Sequence, residues 1–340
     1  MAKAKLLITG GAGFIGTHTI LALVAADYDV VIVDNFSNST PEAVRRTEKL
    51  AGRAITLREC DINDEAGLDA VCSEEGPFDG VIHFAAFKAV GDSVADPLGY
   101  YVNNMGGSLT LCRVMVKHGI KKIVFSSSAT VYGIADPEAM PLREDAPTGA
   151  TNPYGHTKHM MERILMDTGA AEGWDVMILR YFNPVGAHPS GDIGEAPEKP
   201  TNLVPIVCEA AAGKRPEIVV FGDDWPTKDG TCIRDYIHVC DLAEAHVAAM
   251  DDCNGSGVKV YNVGTGNRST VLEVLRAFDA VCGSTVPYRI GDRRPGDAAV
   301  SVADPSKVTS ELGWQAKYGI DDMAAHAWNW AQKNPNGYKS

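Results

Sequence analysis

A glycine-rich turn constrains this chain more than any other feature of its sequence. The segment Thr9-Gly10-Gly11-Ala12-Gly13-Phe14-Ile15-Gly16 follows a short β-rich run and opens a helical stretch. Its glycines fit both G-x-G-x-x-G and G-x-x-G-x-x-G. Glycine allows a tight turn and a close approach of the backbone to a pyrophosphate, and the helix N-terminus offers free N–H groups to an anion. The turn therefore predicts a dinucleotide site, to which we assign Gly10, Gly13, Phe14, Ile15 and Gly16.

An aspartate after the second predicted strand indicates which dinucleotide is bound. Asp34 follows the run Asp29–Val33, in the place where a carboxylate accepts hydrogen bonds from the adenosine ribose hydroxyls. The same charge repels a 2′-phosphate, and no arginine occurs among the ten residues after it. We therefore predict NAD rather than NADP, with Asp34 and Asn35 in its site. For Asp61 and Ile62 two interpretations stay open: they border the adenine, or Asp61 merely caps the next helix.

Short β-rich runs alternate with helical stretches through the first half of the chain. Several runs are apolar on both faces, which is typical of a parallel sheet covered on both sides. This alternation predicts an α/β fold with right-handed crossovers and a doubly wound, Rossmann-type parallel sheet. The predicted strands are Lys5–Thr9, Asp29–Val33, Ala54–Glu59, Asp79–His83, Ile123–Ser127 and Val176–Tyr181. The predicted helices are Ile15–Ala26, Glu42–Leu50, Glu65–Cys72, Leu98–His118 and Tyr154–Ala171.

A change of composition after the sixth predicted strand indicates a second domain. The segment Asn183–Pro200 is rich in proline and glycine, and shorter elements follow it. Their predicted bounds are Ile218–Phe221 and Lys259–Asn262 for strands, and Leu242–Met250, Val271–Val281 and Ile320–Asn334 for helices. We predict a NAD-binding domain over residues 1–182 and a smaller mixed α/β substrate domain over residues 183–340, allowing for segments that cross back to the first domain.

Charge, apolar runs and cysteine content restrict the partners of the chain. The 340 residues carry 31 Lys and Arg against 44 Asp and Glu, and the net charge of −13 repels polyanions, so no nucleic-acid partner is expected. The longest apolar run, Ile20–Ala26, is too short to cross a bilayer and no leader opens the chain, so we expect a cytoplasmic protein without a membrane partner. The eight cysteines predict reduced core residues. No metal site is expected, because no carboxylate completes a set with His156 and His159.

A tyrosine and a lysine four residues apart indicate the chemistry. Tyr154 and Lys158 open a predicted helix, and their spacing places both side chains on one face. A tyrosine with a pKa of about 10 needs about 4 kcal/mol of stabilisation of its phenolate to act near neutral pH, and a lysine ammonium and a positive nicotinamide ring have the right sign. Ser128 ends the fifth strand at the same edge of the sheet. We predict that Tyr154 takes an alcohol proton while hydride leaves the same carbon, and that Ser128 hydrogen-bonds to the substrate oxygen.

Longer motifs extend over nearly the whole chain. Besides the glycine turn they are Asp34-Asn35, His83-Phe84-Ala85-Ala86, Lys88-Ala89-Val90-Gly91, Tyr100-Tyr101, Asn103-Asn104, Phe125–Gly133, Tyr154–Lys158, Arg180–Pro189, Asp229-Gly230-Thr231, Arg234-Asp235-Tyr236-Ile237-His238 and Arg293-Arg294-Pro295-Gly296-Asp297. In these motifs the sequence resembles the UDP-glucose (UDP-galactose) 4-epimerases, a family of extended short-chain dehydrogenase/reductases. Two of them, Asn183–Pro189 and Arg234–His238, are close to diagnostic of that family.

The resemblance implies an activity and a set of site residues. It implies a NAD-dependent isomerase of galactose metabolism, which oxidises C4 of a UDP-hexose, lets the 4-keto sugar rotate and returns the hydride to the opposite face while NAD stays tightly bound. By position, Tyr154 is the base, Ser128 assists it and Lys158 holds the nicotinamide ribose. Further cofactor residues are Phe84, Ala85, Ala86, Lys88, Asn103, Ser126 and Tyr181. The UDP-sugar site would comprise Lys88, Ser128, Tyr154, Asn183, Asn202, Leu203, Phe221, Arg234, Arg294, Asp297 and Ser301.

One departure from the family pattern concerns the range of substrates. Bacterial members often have a tyrosine a few residues after the Arg-x-Gly-Asp segment, where this chain has Ser301. The smaller side chain leaves room for a 2-N-acetyl group. We therefore expect UDP-N-acetylglucosamine and its galacto epimer to be accepted besides UDP-glucose and UDP-galactose. The family also implies a homodimer, formed here through Leu98–His118 and Tyr154–Ala171.

A plain sugar-nucleotide dehydrogenase would consume free NAD stoichiometrically, whereas an epimerase needs none net. Two further alternatives stand beside this prediction. The first is another NAD-dependent nucleotide-sugar epimerase or dehydratase of the same family, although the Thr-Asp-Glu usual in dehydratases is replaced by Thr130-Val131-Tyr132. The second is a NAD-sensing regulatory protein that has kept the glycines without the chemistry. The presence of Ser128, Tyr154 and Lys158 argues against the second alternative.

Overall fold

The computed structural model describes residues 2–294 and 296–339, which form two compact units. Unit 1 runs to Gly133 and adds Thr148–Arg180 and Ala243–Tyr261. Unit 2 contains Ile134–Pro147, Tyr181–Leu242 and the chain from Asn262 onward. Pro295, a member of the Arg-Arg-Pro-Gly-Asp motif, lies outside the described residues. The assignment of NAD to residues 1–182 and of the UDP-sugar to residues 183–340 remains a prediction.

A seven-stranded parallel sheet flanked by helices forms the centre of unit 1, and it confirms the predicted doubly wound fold. The strand order is β11-β6-β5-β4-β1-β2-β3. The chain reverses its direction of winding between β1 and β4, and in open α/β sheets ligands bind outside the carboxyl ends of the strands at such a point. The strands are β1 Ala4–Thr9, β2 Tyr28–Asp34, β3 Thr56–Glu59, β4 Gly80–His83, β5 Lys122–Ser128, β6 Asp175–Tyr181 and β11 Val258–Val263.

Helices connect these strands. They are α1 Phe14–Ala25, α2 Pro41–Ala51, α3 Glu65–Glu75, α4 Val90–Ala95, α5 Pro97–Tyr100, a π-helix over Tyr101–Gly106, α6 Gly107–His118, a 3₁₀-helix over Ala129–Tyr132, α7 Pro153–Glu172 and α9 Val239–Asp252. The helix predicted over Leu98–His118 is confirmed as a continuous helical stretch, but it consists of α5, a π-helical segment and α6 instead of a single α-helix. The helix predicted over Leu242–Met250 and the strand predicted over Lys259–Asn262 fall largely in unit 1, where β11 is an edge strand of the sheet.

Fully buried aliphatic side chains of strands and helices form the core of unit 1. Leu7 and Ile123 from the sheet pack in one cluster with Leu111 of α6 and Leu165 of α7. Burial of each such side chain contributes about 1.5–3 kcal/mol. Helix α7 begins after Asn152, because the side chain of this N-cap residue accepts a hydrogen bond from the N–H three residues later, at 2.9 Å. Leu165 packs the helix into the core. The core thereby fixes the helix that carries Tyr154 and Lys158.

Unit 2 is a smaller mixed α/β unit. Its strands are β7 Asn183–Val185, β8 Ile218–Phe221, β9 Ile233–Arg234, β10 Tyr236–His238, β12 Ser269–Thr270, β13 Tyr288–Gly291 and β14 Val300–Ser301, and they form the small sheets β10-β7, β12-β9-β14 and β13-β8. Its helices are a 3₁₀-helix over Pro137–Ala139, α8 Leu203–Ala211, α10 Val271–Cys282, α11 Ser306–Leu312 and α12 Ile320–Lys333. Apolar residues of α8, α10 and α12 form its core. All eight cysteines are free thiols, and five of them are buried while Cys60, Cys240 and Cys282 are partly exposed.

Candidate active site

The glycine turn lies between β1 and α1, and close backbone contacts require two of its glycines. Gly10 adopts φ +69°, and a Cβ on it would lie 2.7 Å from the backbone N of Ala85. A Cβ on Gly16 would lie 2.6 Å from the carbonyl O of Gly10. Gly13 is the N-cap of α1, and within that described helix no side chain caps the N-terminus and no acidic residue occupies the first turn. The helix N-terminus can therefore receive an anionic group.

Asp34 ends β2 next to this turn. Its carboxylate accepts hydrogen bonds from the N–H of Ala12 at 3.0 Å, the N–H of Phe36 at 2.9 Å and the hydroxyl of Ser39 at 2.7 Å. These donors hold a buried carboxylate against the glycine turn. The geometry suits an acid that binds a ribose attached to a diphosphate at α1.

Asp61 is not a helix cap. The N-cap of α3 is Asp64, so the capping interpretation of Asp61 is wrong. Asp61 accepts hydrogen bonds from Asn35 Nδ2 at 2.8 Å and from the N–H of Asn63 at 2.8 Å. Burial raises the pKa of Asp61, but the hydrogen bonds from Asn63 and Asn35 outweigh it and lower the pKa below its usual value. Asp61 and Asn35 are thus held together beyond the ends of β2 and β3. The neighbouring Ile62 is buried in the core, and the adenine contact remains a prediction.

His83, the last residue of β4, is a buried neutral imidazole. Its Nδ1 lies 2.7 Å from Thr9 Oγ1, and its Nε2 lies 2.8 Å from Ser108 Oγ. Burial lowers the pKa of His83 to about 3, and the charge of Lys158 acts in the same direction. The ring therefore ties β4 to β1 and α6 without carrying charge. The predicted cofactor residues Phe84, Ala85 and Ala86 follow it directly at the carboxyl end of β4, and Lys88 is exposed in the same loop.

Asn104, to which the sequence assigned no role, organises the approach to the tyrosine helix. It is buried in the π-helix, where its Oδ1 accepts from the N–H of Phe87 at 2.8 Å and its Nδ2 donates to the carbonyl of Phe87 and to Thr157 Oγ1, each at 3.1 Å. Thr157 in turn donates to the carbonyl of Tyr154 at 2.7 Å. Asn103 Nδ2 donates to Asn104 Oδ1 at 2.9 Å. The doubled asparagine was the only signal in the sequence, and π-helical segments occur often at functional sites.

Ser128, Tyr154 and Lys158 lie together at the carboxyl end of β5. The hydroxyl of Tyr154, in the first turn of α7, is hydrogen-bonded to Ser128. Lys158 is buried one turn later, and its Nζ donates to the carbonyl of Ser126 at 2.6 Å. The same Nζ lies 4.9 Å from the centroid of the Phe125 ring and 5.9 Å from that of Tyr154. A hydroxyl, a phenol and an amine are thus brought within one small site.

Burial opposes the charged forms of both ionisable groups in this site. It raises the pKa of Tyr154, while the hydrogen bond with Ser128 lowers it. Burial lowers the pKa of Lys158 to about 7, while the carboxylate of Glu162 raises it. A lysine with a pKa near neutrality changes its charge in response to small electrostatic changes, which is typical of residues that take part in chemistry.

In unit 2, Asp297 and three other predicted substrate residues form one group. The carboxylate of Asp297 accepts hydrogen bonds from Arg234 Nη2 and from Arg294 Nε, each at 3.2 Å. The guanidinium of Arg294 lies 5.1 Å from the centroid of the exposed Phe221 ring. Two guanidinium groups against one carboxylate leave a local positive charge on an acidic chain. Such a group suits a pyrophosphate next to a planar base.

A buried aspartate, Asp235, holds the strands that carry this group, and the sequence assigned it no role. Its backbone N–H donates to the carbonyl of Ser301 at 3.1 Å, and its carbonyl accepts from Asn183 Nδ2 at 2.9 Å. Burial raises the pKa of Asp235, while its hydrogen-bond donors lower it. The four donors to its carboxylate, at 2.7–3.1 Å, are Thr265 N, Thr265 Oγ1, Gly266 N and Ala303 N. The position of Asp235 directly after Arg234 was the available signal.

The remaining predicted residues lie on other elements. Asn202 is the N-cap of α8 and donates from Nδ2 to Glu195 Oε1 at 3.1 Å, and Leu203 opens that helix. Tyr181 is the buried last residue of β6. Within residues 2–294 and 296–339, no group of three or more His, Cys, Asp or Glu is arranged to hold a metal ion. No helix in these same ranges has the length and apolarity needed to span a membrane.

Comparison with known proteins agrees with this geometry. Residues 6–264 match the NAD dependent epimerase/dehydratase family. The chain belongs to this family. The UDP-glucose 4-epimerase of Bacillus subtilis (strain 168) is 54% identical to it over 98% of this chain and 99% of that protein.

Solved structures of epimerases share the fold over their full length. The UDP-glucose 4-epimerase of Bifidobacterium longum, in complex with NAD+ and UDP, has a TM-score of 0.94 at 52% identity and covers 98% of this chain and 99% of its own. The UDP-Glc/GlcNAc 4-epimerase of Campylobacter jejuni has a TM-score of 0.84 at 38% identity and covers 97% and 99%. The resemblance to the epimerases that the motifs indicated is confirmed.

Proposed function

We propose that this epimerase interconverts UDP-glucose and UDP-galactose by inverting C4 through a transient 4-keto sugar, with NAD retained between turnovers. The observation that carries the proposal is the hydrogen-bonded Ser128–Tyr154 pair with Lys158 one turn along α7. This group lies at the carboxyl end of a sheet whose first strand leads into a diphosphate-binding turn. The place of the reaction in the cytoplasm and in galactose metabolism belongs to the same proposal.

The residues of unit 1 fit a NAD molecule. Gly10 and Gly16 have no room for a Cβ, and the N-terminus of α1 is uncapped within the described helix, so the backbone can cradle a diphosphate. Asp34 would hold the adenosine ribose, and Lys158 the nicotinamide ribose. Held by these residues, NAD would supply reversible hydride transfer at C4 of the sugar.

The side chains around the reacting carbon move the proton. Tyr154 Oη removes the proton of the C4 hydroxyl as the sugar is oxidised and returns it when the sugar is reduced. Its phenolate needs about 4 kcal/mol of stabilisation, and burial increases that requirement. The ammonium of Lys158 supplies charge of the right sign, and the hydroxyl of Ser128 orients the substrate oxygen by a hydrogen bond.

The Asp297 group of unit 2 is proposed to bind the nucleotide. Arg234 and Arg294 bind the pyrophosphate of UDP, and their charge is only half neutralised by Asp297. Asp297 accepts a hydrogen bond from the uridine ribose, and Phe221 contacts the base. Because the chain has a net charge of −13, this local cluster is what attracts a dianionic substrate.

The decisive experiment is to incubate the purified protein with UDP-galactose, without added NAD, and to follow UDP-glucose by NMR. We expect conversion to an equilibrium mixture with no net formation of NADH, and almost none with Tyr154→Phe. Full activity of Tyr154→Phe would reject the assigned base. NADH formed in proportion to sugar consumed would show a dehydrogenase instead of an epimerase.

We also propose that UDP-N-acetylglucosamine and its galacto epimer are substrates. The support is Ser301, a small residue on β14 that pairs in register with Arg234 of the nucleotide-binding group. Ser301→Tyr should lower activity on the acetylated pair while retaining activity on UDP-glucose, and Ser306→Tyr on α11 serves as the control. If the wild type turns over UDP-glucose and leaves the acetylated pair unchanged, this broader specificity is refuted.

We propose a homodimer formed through the helices between β4 and β5 and through α7. These helices expose large apolar side chains in the described structure, with Leu98 71%, Val94 63% and Val102 61% exposed, which is costly for a protein that remains a monomer. Further exposed members are Leu109, Val116 and Met160. Light scattering should give twice the mass of 36.3 kDa, and Leu98→Glu with Val102→Glu should give the monomer. A wild type that elutes as a monomer at micromolar concentration would exclude the homodimer.

A further inference from the structure

A buried ion pair lies beside the Ser128–Tyr154–Lys158 group and has no part in the proton transfer described above. Arg180 of β6 donates from Nε to Glu162 Oε1 at 2.9 Å and from Nη2 to Glu162 Oε2 at 2.7 Å. The two side chains are only 6% and 2% exposed. Glu162 lies on α7, one turn after Lys158. The pair therefore joins the catalytic helix to the sheet.

The same ion pair contacts the chain on both sides of Ser128. Ser127 donates from Oγ to Glu162 Oε1 at 2.5 Å. Arg180 donates from Nη1 to the hydroxyl of Tyr132 at 2.9 Å, with its guanidinium carbon 4.9 Å from the centroid of that ring. Ser127 directly precedes Ser128, and Tyr132 ends the 3₁₀-helix that follows it. Both ends of this short segment are thus anchored to α7 through one pair of charges.

We propose that Glu162 and Arg180 are positioning residues, which hold the end of β5 in register with Tyr154 and Lys158. This inference rests on the proposed function. The contacts that they set are the hydrogen bond of Tyr154 with a β5 hydroxyl and the 2.6 Å hydrogen bond of Lys158 with a β5 carbonyl. A misplacement of about 1 Å at such contacts can lower a rate about 100-fold.

Stability alone gives little reason for a buried ion pair at this place. The cost of removing two charges from water is close to the gain from their attraction, and apolar side chains of similar volume often serve the fold as well or better. A bidentate guanidinium–carboxylate pair adds fixed direction. Here the carboxylate of Glu162 also accepts a hydrogen bond from the hydroxyl of Ser127, and the guanidinium of Arg180 also donates one to the hydroxyl of Tyr132. The ion pair thus fixes the positions of Ser127 and Tyr132 relative to α7 and β6.

Glu162 also acts on the charge of the catalytic lysine. Ionisable groups near Lys158 in the described structure include Tyr154 and Glu162 on its own helix and His83 on β4, with Arg180 of β6 paired to Glu162. His83 is neutral, because burial lowers its pKa to about 3. Burial lowers the pKa of Lys158 and the carboxylate of Glu162 raises it. Glu162 therefore favours the ammonium form that the proposed proton transfer requires.

Two substitutions of Glu162 separate its geometry from its charge. For Glu162→Gln we expect kcat on UDP-galactose to fall about 10- to 100-fold with KM nearly unchanged. The alkaline limb of its kcat–pH profile should move down by about one unit, because an opposite charge within ~4–6 Å shifts a pKa by one to three units. Glu162→Asp keeps the charge and shortens the side chain, so kcat should fall while the limb stays in place.

A matched control and a second variant make the outcomes decisive. Glu42→Gln removes a partly buried carboxylate that is paired with Arg45 and Arg46 on α2, and it should change neither kcat nor the pH profile. A Glu162→Gln enzyme that matches this control would overturn the proposal, and a fall in kcat with an unmoved alkaline limb would overturn its electrostatic part.

If melting curves show that Glu162→Gln does not fold, Ser127→Ala removes one anchor and leaves the ion pair intact. About a tenfold lower kcat would then support the proposal, and an unchanged kcat would overturn it. An inactive wild type would instead count against the proposed function.

Discussion

Replacing Gly10 with alanine tests whether the cofactor turn depends on a close approach of two backbone segments. At φ +69° an alanine costs about 1–2 kcal/mol wherever it lies, because its Cβ crowds the carbonyl oxygen. At Gly10 the Cβ would also lie 2.7 Å from the N of Ala85, about 0.7 Å inside an ordinary van der Waals contact. Backbone atoms cannot rotate away as a side chain can. The segment after β4 must therefore shift, at a further cost of about 1–3 kcal/mol.

Gly52 offers a control with the same backbone strain and no close neighbour. It has φ +68° at the end of α2, and a Cβ there would meet no atom of the described residues within 4 Å. We expect urea denaturation, followed by circular dichroism, to show a loss of free energy of unfolding of about 1–2 kcal/mol for Gly52→Ala and about 2–5 kcal/mol for Gly10→Ala. Gly10→Ala should also retain less NAD on gel filtration. Equal losses in the two variants would refute the reasoning, because the close approach would then carry no cost.

Two further predictions concern buried polar side chains. The pKa of His83 is about 3 in the folded chain, and about 6.5 is usual in an unfolded one, so its contribution to stability is complete above pH 6.5 and is lost as the pH falls. Between pH 6.5 and pH 5 this amounts to about 2 kcal/mol, and His83→Gln should flatten the melting temperature over that window; an unchanged slope would contradict it. Asp235→Asn places an amide nitrogen among N–H donors and leaves at least one of them unpaired, at about 1–3 kcal/mol. KM for UDP-galactose should rise while NAD is retained, whereas the exposed Asp292→Asn should change neither, and equal KM values for the two variants would contradict the role of Asp235.

The sequence predicts the parallel sheet of unit 1 well, because both signals for it are local. Strands apolar on two faces alternate with helices, and the glycine turn fixes where the first strand meets the first helix. The sequence does not predict that β11 belongs to this sheet. Val258–Val263 pairs with β6, about 80 residues earlier, and the composition of β11 does not indicate that partner. The π-helix at Tyr101–Gly106 could not be predicted either, because it also depends on residues far away in the sequence. Its residues are compatible with an ordinary α-helix, and the buried contacts of Asn104 lie with Phe87 and Thr157, far from it in sequence.

The same distinction separates the site residues that motifs reveal from those that only the fold reveals. Tyr154 and Lys158 are recognisable because one turn of helix places them together. Asp235 is recognisable only from its hydrogen-bond donors, which lie 30 to 68 residues away, and Glu162 of α7 only from its ion pair with an arginine on β6. Without such partners a buried carboxylate costs several kcal/mol, so each must have been accommodated by the structure around it.

In the proposed mechanism, Tyr154 depends on charges beyond its own helix. A lysine with a pKa of about 7 is half protonated at pH 7 and only about one-tenth protonated at pH 8. Tyr154, whose pKa is raised by burial, would then lose the positive charge that stabilises its phenolate as the solution becomes more alkaline. The carboxylate of Glu162 opposes that loss, and it is paired with Arg180 in the core. In the proposed mechanism, proton transfer at Tyr154 therefore depends on charges that extend from Lys158 through Glu162 to Arg180 on β6.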